Sequence, residues 1–320
     1  VFAMSNRPVA YVVFNRPELT ARTFAAIRKH RPSRLFIIAD GPRRAHPTDA
    51  RRCLEVRRIV EKVDWPCEVE RHYADSNLGC KRRVSSGLDR VFAAVESAVV
   101  LEDDCLPHPD FFGYCDALLE RYARDERVWA VTGDNFQGGQ ERGTGSYYFS
   151  KYNHCWGWAS WARAWRHFDG AVSFWPSWRS SRAWAVLHPD PVERRYWEGI
   201  FDRVHAGAID SWAYPWTASI WYRRGLTATP NVNLVSNIGF GRDATHTTSP
   251  RSPLAGLALR ELGPLRHPER VEADAKADRF AFDHAFGGRS QRFPRSLPQS
   301  VRSLWQLSTR SRWQWRGGAS

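Results

Sequence analysis

Residues 98–107, AVVLEDDCLP, end an apolar run on three consecutive carboxylates, Glu102, Asp103 and Asp104. Ionised side by side and shielded from water, such groups repel one another strongly. Two arrangements relieve the repulsion: a solvated turn, or a divalent cation shared among hard oxygen ligands. The first needs nothing else from the chain. The second needs further polar groups delivered to the same place.

Four other segments offer such groups after an apolar run: Asn15-Arg16-Pro17, Asp40-Gly41-Pro42, Asp75-Ser76-Asn77 and Asp134-Asn135. The runs themselves, 9–14, 35–40, 67–74, 97–104 and 127–134, read as strands. Helical periodicity fills the gaps over 17–30, 46–63, 80–96 and 109–125, and Pro17, Pro47 and Pro109 fall near helix starts. This alternation predicts an α/β fold with a mostly parallel sheet covered by helices on both faces. Sheets of that kind bind ligands at the carboxyl ends of their strands, where all five polar segments are expected. Neither G-x-G-x-x-G after the first strand nor G-x-x-x-x-G-K-[ST] occurs, which disfavours a dinucleotide site and a P-loop.

From about residue 147 the texture changes. Eleven of the 16 tryptophans lie between Trp156 and Trp221. Those at 158, 161 and 165 have the spacing of one helical face. Core packing is the expected use for most, with a few rings as candidates for stacking on sugars. Residues 191–207 read as a helix, whereas 226–247 hold too many Asn, Gly and Thr for one.

A chain of 320 residues with 42% hydrophobic and 25% charged residues has the composition of a globular protein. No stretch reaches the roughly 18 apolar residues of a membrane span, and the first residues lack the order of a signal peptide. The six cysteines contain no C-x-x-C pair, so reduced thiols are expected rather than a zinc site. Net charge is +13, nearly all of the excess arginine and spread along the chain, so binding of nucleic acid is not expected. The tail from Arg289, with Trp305, Trp313 and Trp315, reads either as a disordered end or as a basic segment lying on an anionic membrane.

Taken in order, VVFNRPELT, IIADGP, NLGCKRRVSSGL, VVLEDD, PDFFGYCDALLERYARDERVWAVTGDN, WGWASW and PNVNLVSNIGFG resemble the nucleotide-diphospho-sugar transferases of GT-A fold. The likeness runs from residue 8 to about 286. It is greatest to bacterial proteins similar to glycosyltransferase family 2, and more distant to N-acetylglucosaminyltransferase I. It implies a GT-A domain over 1–288, with a nucleotide-sugar half (1–135) and an acceptor half (136–288), followed by the tail 289–320.

The resemblance implies that the triplet is a D-x-D-type motif. Asp104 would be the principal ligand of Mn²⁺ or Mg²⁺, with Glu102 and Asp103 towards the ribose, metal waters or donor sugar. Asp40 would read the base of a UDP-sugar, with Asn15 and Arg16 on the base or phosphate wall. Asn77 to Arg83 would serve the donor, Arg83 most directly, with a solvated helix face as the competing use of Lys81 and Arg82. Asp210 is the candidate base for inverting transfer, with an N-terminal cap as its competing use; Asp202 and Glu198 stand behind it. His246, and next Asp243, would complete the metal shell from a glycine-bearing flap. The acceptor would be a saccharide or lipid-linked hydroxyl in polysaccharide or glycoconjugate synthesis. The expected location is the bacterial cytoplasm, with peripheral contact at the inner membrane face through the tail. Two other readings are weighed: a carbohydrate-binding protein without turnover, and a sugar-nucleotide pyrophosphorylase, which FNRPELT disfavours for lack of a glycine-rich loop.

Overall fold

A computed structural model of the chain describes residues 7–241, 252 and 254–292. The first part alternates as expected: β1 (Val9–Val13), α1 (Pro17–His30), β2 (Arg34–Ala39), α2 (Asp49–Val60), β3 (Glu68–Tyr73), α3 (Cys80–Ala94) and β4 (Ser97–Glu102). There follow β5 (Cys105–Pro107), α4 (Asp110–Arg121), β6 (Val128–Thr132), β7 (Tyr147–Ser150), β8 (Trp158–Trp161) and α5 (Ala162–Trp165). Helices α6 (Trp175–Arg179), α7 (Arg182–Leu187), α8 (Pro191–His205) and α9 (Ala213–Tyr222) come next. The described chain ends with β9 (Leu226–Pro230), β10 (Val235–Asn237), α10 (Ala275–Ala285) and α11 (Gly288–Gln291).

Eight strands form one sheet in the order β3-β2-β1-β4-β8-β6-β9-β7. It is parallel from β3 to β4 and between β6 and β9, and antiparallel at the other pairings. A separate two-stranded ribbon pairs β10 with β5, directly after the triplet. Alternation along the strands splits the core between two faces. Tyr11, Leu35, Ile37 and Val99 meet Phe24 and Ile27 of α1, Val56 and Val60 of α2, and Phe111 and Leu118 of α4. Ala10, Phe36, Ile38 and Val100 meet Val84, Leu88 and Val91 of α3 and the tryptophan layer.

That layer is core. Ten of the eleven tryptophans from 156 to 221 are buried, and only Trp156 is partly exposed. The helical-face reading of Trp158, Trp161 and Trp165 is wrong. Trp158 and Trp161 belong to β8, whose two-residue period sends them to opposite faces of the sheet, and Trp165 ends the short α5. All six cysteines are free. No helix among the described residues is long and apolar enough to cross a membrane. Asp243, His246 and the tail beyond Arg292 lie outside the described residues.

Candidate active site

Strand β1 lies between β2 and β4. The chain leaves β1 towards β2 and β3, then returns to β4 on its other side, so the sheet has a topological switch point there. Parallel pairing sets Val12 opposite Glu102 and makes the loops that follow the two strands neighbours. Arg16, three residues beyond β1, reaches across the gap. Its Nη2 donates to Asp103 Oδ1 and its Nη1 to Asp104 Oδ2 at 3.0 Å. The other oxygen of Asp103 accepts the Phe14 N–H at 3.3 Å, and its backbone carbonyl accepts Thr23 Oγ1 at 2.9 Å. Burial pushes the Glu102 and Asp103 carboxyls above the ordinary range; the neighbouring acids add to this, while Arg16 and, at Glu102, Trp212 oppose it.

Asp40, buried at the end of β2, is held by three N–H groups. Oδ1 accepts those of Gly41 at 2.8 Å and Leu78 at 2.9 Å, and Oδ2 accepts Asn77 Nδ2 at 2.9 Å. Burial raises its carboxyl from the ordinary value, with these bonds and the charge of Arg83 pulling the other way. The contact depends on Gly41, where a Cβ would stand 2.5 Å from the Ser76 backbone. Asn15 turns to α2 and donates to Asp49 Oδ1 at 2.8 Å, a carboxylate also gripped by Arg43. Burial works against the ionised Asp49, yet these bonds hold it down to about 2. Neither Arg43 nor Asp49 stands out in the sequence.

Arg83, one turn into α3, is only 8% exposed, and its Nε is buried without a hydrogen-bond partner. Burial lowers its pKa, against the attraction of Asp40. A guanidinium left short of partners is costly unless an anion completes it.

Asp210 reaches the same helix from 130 residues away. Its Oδ2 accepts the Cys80 N–H and its Oδ1 that of Lys81, both at 2.9 Å. These are orphan donors of the first turn of α3, so the capping expected as the competing use of Asp210 is present, applied to α3 rather than to α9. Gly79 makes the approach possible: its φ is +81°, and a Cβ there would stand 2.8 Å from Asp210 Oδ2. The carboxylate is still exposed, and two backbone bonds leave further lone pairs open. Asp202 and Glu198 serve the tryptophan layer instead, accepting the indole N–H groups of Trp175 at 2.9 Å and Trp184 at 3.0 Å.

Three further features surround these residues. Cys80, Cys105 and Cys155 lie within the field of Glu102, and burial pushes all three thiols up, against thiolate chemistry. The segment after β10 closes on the triplet, with Ile238 N–H donating to the Asp104 carbonyl at 2.8 Å. At the end of β6, buried Asp134 accepts the Trp156 N–H at 3.2 Å and so ties down the partly exposed Trp156 ring.

Three carboxylates against one guanidinium leave negative charge in excess, and the donor set is hard oxygen, which fits a divalent cation. Among the described residues no group of three His, Cys, Asp or Glu side chains could hold one. A metal held by the described residues alone would take further oxygen ligands from outside these side chains.

The segment that carries the triplet is the part of the chain that matches a known family. Residues 67–185 match the GNT-I family. The GNT-I-like segment takes in Asn77, Arg83 and Glu102 to Asp104; Asn15, Arg16 and Asp40 precede it and Asp210 follows it. No curated protein matches the chain in sequence. Among solved structures, the chain is similar to the mannosyltransferase PcManGT from Pyrobaculum calidifontis in complex with GDP-Man and Mn²⁺, at 13% identity and a TM-score of 0.34, over 68% of this chain and 75% of that one. A mannose-1-phosphate geranyltransferase from Thermus thermophilus is similar at 11% identity and a TM-score of 0.35, over 71% and 74%. A UDP-glucose pyrophosphorylase complexed with UDP-glucose is similar at 10% identity and a TM-score of 0.26, over 46% and 62%.

Proposed function

We propose that this GNT-I-like chain is a metal-dependent glycosyltransferase that moves a sugar, with inversion, from a nucleoside-diphosphate sugar to the hydroxyl of a saccharide or lipid-linked acceptor. UDP is the proposed nucleotide. The observation that carries the reading is the meeting of Arg16 with Asp103 and Asp104 at the switch point, where an open sheet takes its ligand.

Each residue then has a task. Asp40, fixed by Asn77 and the 41 and 78 amides, offers its remaining lone pairs to a base N–H. Arg83 supplies the buried positive charge that an anionic donor completes. Asp104, with Glu102 beside it, would hold Mn²⁺ or Mg²⁺, which when bound would draw charge from the departing nucleoside diphosphate. Arg16 has unused N–H donors in a fork suited to phosphate. Asp210 accepts the proton of the acceptor hydroxyl, kept in place by the α3 amides. Trp156 offers a partly exposed ring on which a sugar can stack.

The test is release of nucleoside diphosphate from a panel of UDP-, GDP- and dTDP-sugars with Mn²⁺. Release from one donor, abolished both by EDTA and by Asp104→Ala, is expected. No turnover, together with no Mn²⁺-linked binding of UDP, GDP or dTDP, would overturn the proposal.

A further inference from the structure

We infer that Arg16 is a resident cation that keeps a divalent metal off Asp104 until a nucleoside diphosphate arrives, so that metal and nucleotide bind as a couple. The inference rests on the proposed function and concerns the order in which the same site fills.

Both aspartates are already engaged. Asp103 is 2% exposed, with one oxygen on Arg16 and the other on the Phe14 N–H. Asp104 is 8% exposed; Oδ2 accepts Arg16 Nη1 at 3.0 Å and Oδ1 accepts the Cys105 thiol at 3.4 Å. Gly239 packs beside the pair, where an added Cβ would stand 2.5 Å from the same Oδ2 and 2.9 Å from Arg16 Nη1. A metal arriving alone would therefore have to displace the guanidinium or share an oxygen with it, and the two cations would repel at short range. Among the described residues it would also find no three-ligand cage to repay that cost.

Arg16 cannot leave as a residue. Its carbonyl accepts both the N–H of Thr20, at 2.9 Å, and its Oγ1, at 2.8 Å, at the start of α1. Its guanidinium can turn, because among the described residues its hydrogen bonds go to the two carboxylates alone and its side chain is 17% exposed. A diphosphate changes the balance twice. It gives the guanidinium an anionic partner that a planar fork binds well, and it brings the oxygen ligands that the protein lacks. Each ligand then raises the affinity of the other, reciprocally.

Isothermal titration of the full chain with Mn²⁺ alone, and with Mn²⁺ in the presence of UDP or GDP, tests this in the wild type, Arg16→Gln and Arg16→Lys. For Mn²⁺ alone, Arg16→Gln is expected to bind about tenfold more tightly than the wild type or better. Arg16→Lys, which keeps the charge but cannot fork to both carboxylates, should fall between them and serves alone if the glutamine variant does not fold. With nucleotide present the wild type should gain more Mn²⁺ affinity than Arg16→Gln does. Equal Mn²⁺ affinity of wild type and variants without nucleotide would overturn the inference while leaving the transferase reading intact. No Mn²⁺ uptake by any form, nucleotide included, would remove the metal itself and the inference with it.

Discussion

Gly239 packs directly against the Asp104 carboxylate: a Cβ added there would stand 2.5 Å from both Cβ and Oδ2 of Asp104, and 2.9 Å from Arg16 Nη1. The segment after β10 thus sets the position of the acid that ends the loop after β4. Gly239→Ala forces that acid or the segment to move. Overpacking of this kind costs about 1–3 kcal/mol, and a misplacement of about 1 Å at a reacting centre can cost about a hundredfold in rate. Donor turnover is expected to fall by about that factor, with a smaller change in the urea midpoint. A variant as active as the wild type would show that Asp104 does not need its present position.

Asp210 has two uses that can be separated. Asp210→Asn keeps one acceptor oxygen for the α3 amides but removes the base, so transfer should fall about 10²- to 10⁴-fold while the fold is nearly unchanged. Asp210→Ala should lose transfer equally and a further ~1 kcal/mol of stability with the cap. If Asp210→Asn transfers sugar at the wild-type rate, the residue is a cap alone.

Arg83 is a buried guanidinium with an unpartnered Nε, a costly group in the absence of ligand. Arg83→Met should therefore leave the thermal midpoint unchanged or raise it, yet weaken nucleotide binding by about tenfold or more. A lower midpoint with unaltered nucleotide affinity would assign the arginine to the fold instead.

Asp134 is expected to carry its proton. The Thr132 hydroxyl lies within hydrogen-bond reach of both Asp134 Oδ1 and the His154 carbonyl, the latter at 3.1 Å. One hydroxyl hydrogen cannot serve both, and the carbonyl cannot donate, so a protonated Asp134 satisfies the set. Burial pushes this carboxyl up to about 7. Because the folded value lies above the unfolded one, the native state binds more protons between them, and stability falls as pH rises through that window. Asp134→Asn should hold the fold at pH 6 and lose this part of the slope between pH 4 and 7. The check is the urea midpoint of both proteins across that range; parallel curves would refute it.

The part of the fold legible in the sequence is the part whose elements alternate. From β1 to β4, and again at β6, strands alternate with amphipathic helices, and all of these strands except β3, EVERHY, are apolar runs. The later strands β7 to β10 have three to five residues each and sit in a region buried on all sides. Strand β8 also runs directly into α5, so tryptophans spaced three and four apart across a strand–helix junction mimic the period of one helical face. The misplacement of Trp158, Trp161 and Trp165 on one helical face has that cause.

By itself the sequence determined that the carboxylates would end a buried strand, and that other polar strand ends would share their rim, since apolar runs and their stops are local properties. Which groups meet was decided by tertiary structure. Arg16 finds Asp103 and Asp104 across 87 and 88 residues, Asn77 finds Asp40 across 37, and Asp210 finds the α3 amides across 129 and 130. Each pairing is a short-range, directional contact. Its partners come together only when the parallel register of β1 with β4, and the packing of α3 on the sheet, bring distant loops within about 3 Å of one another.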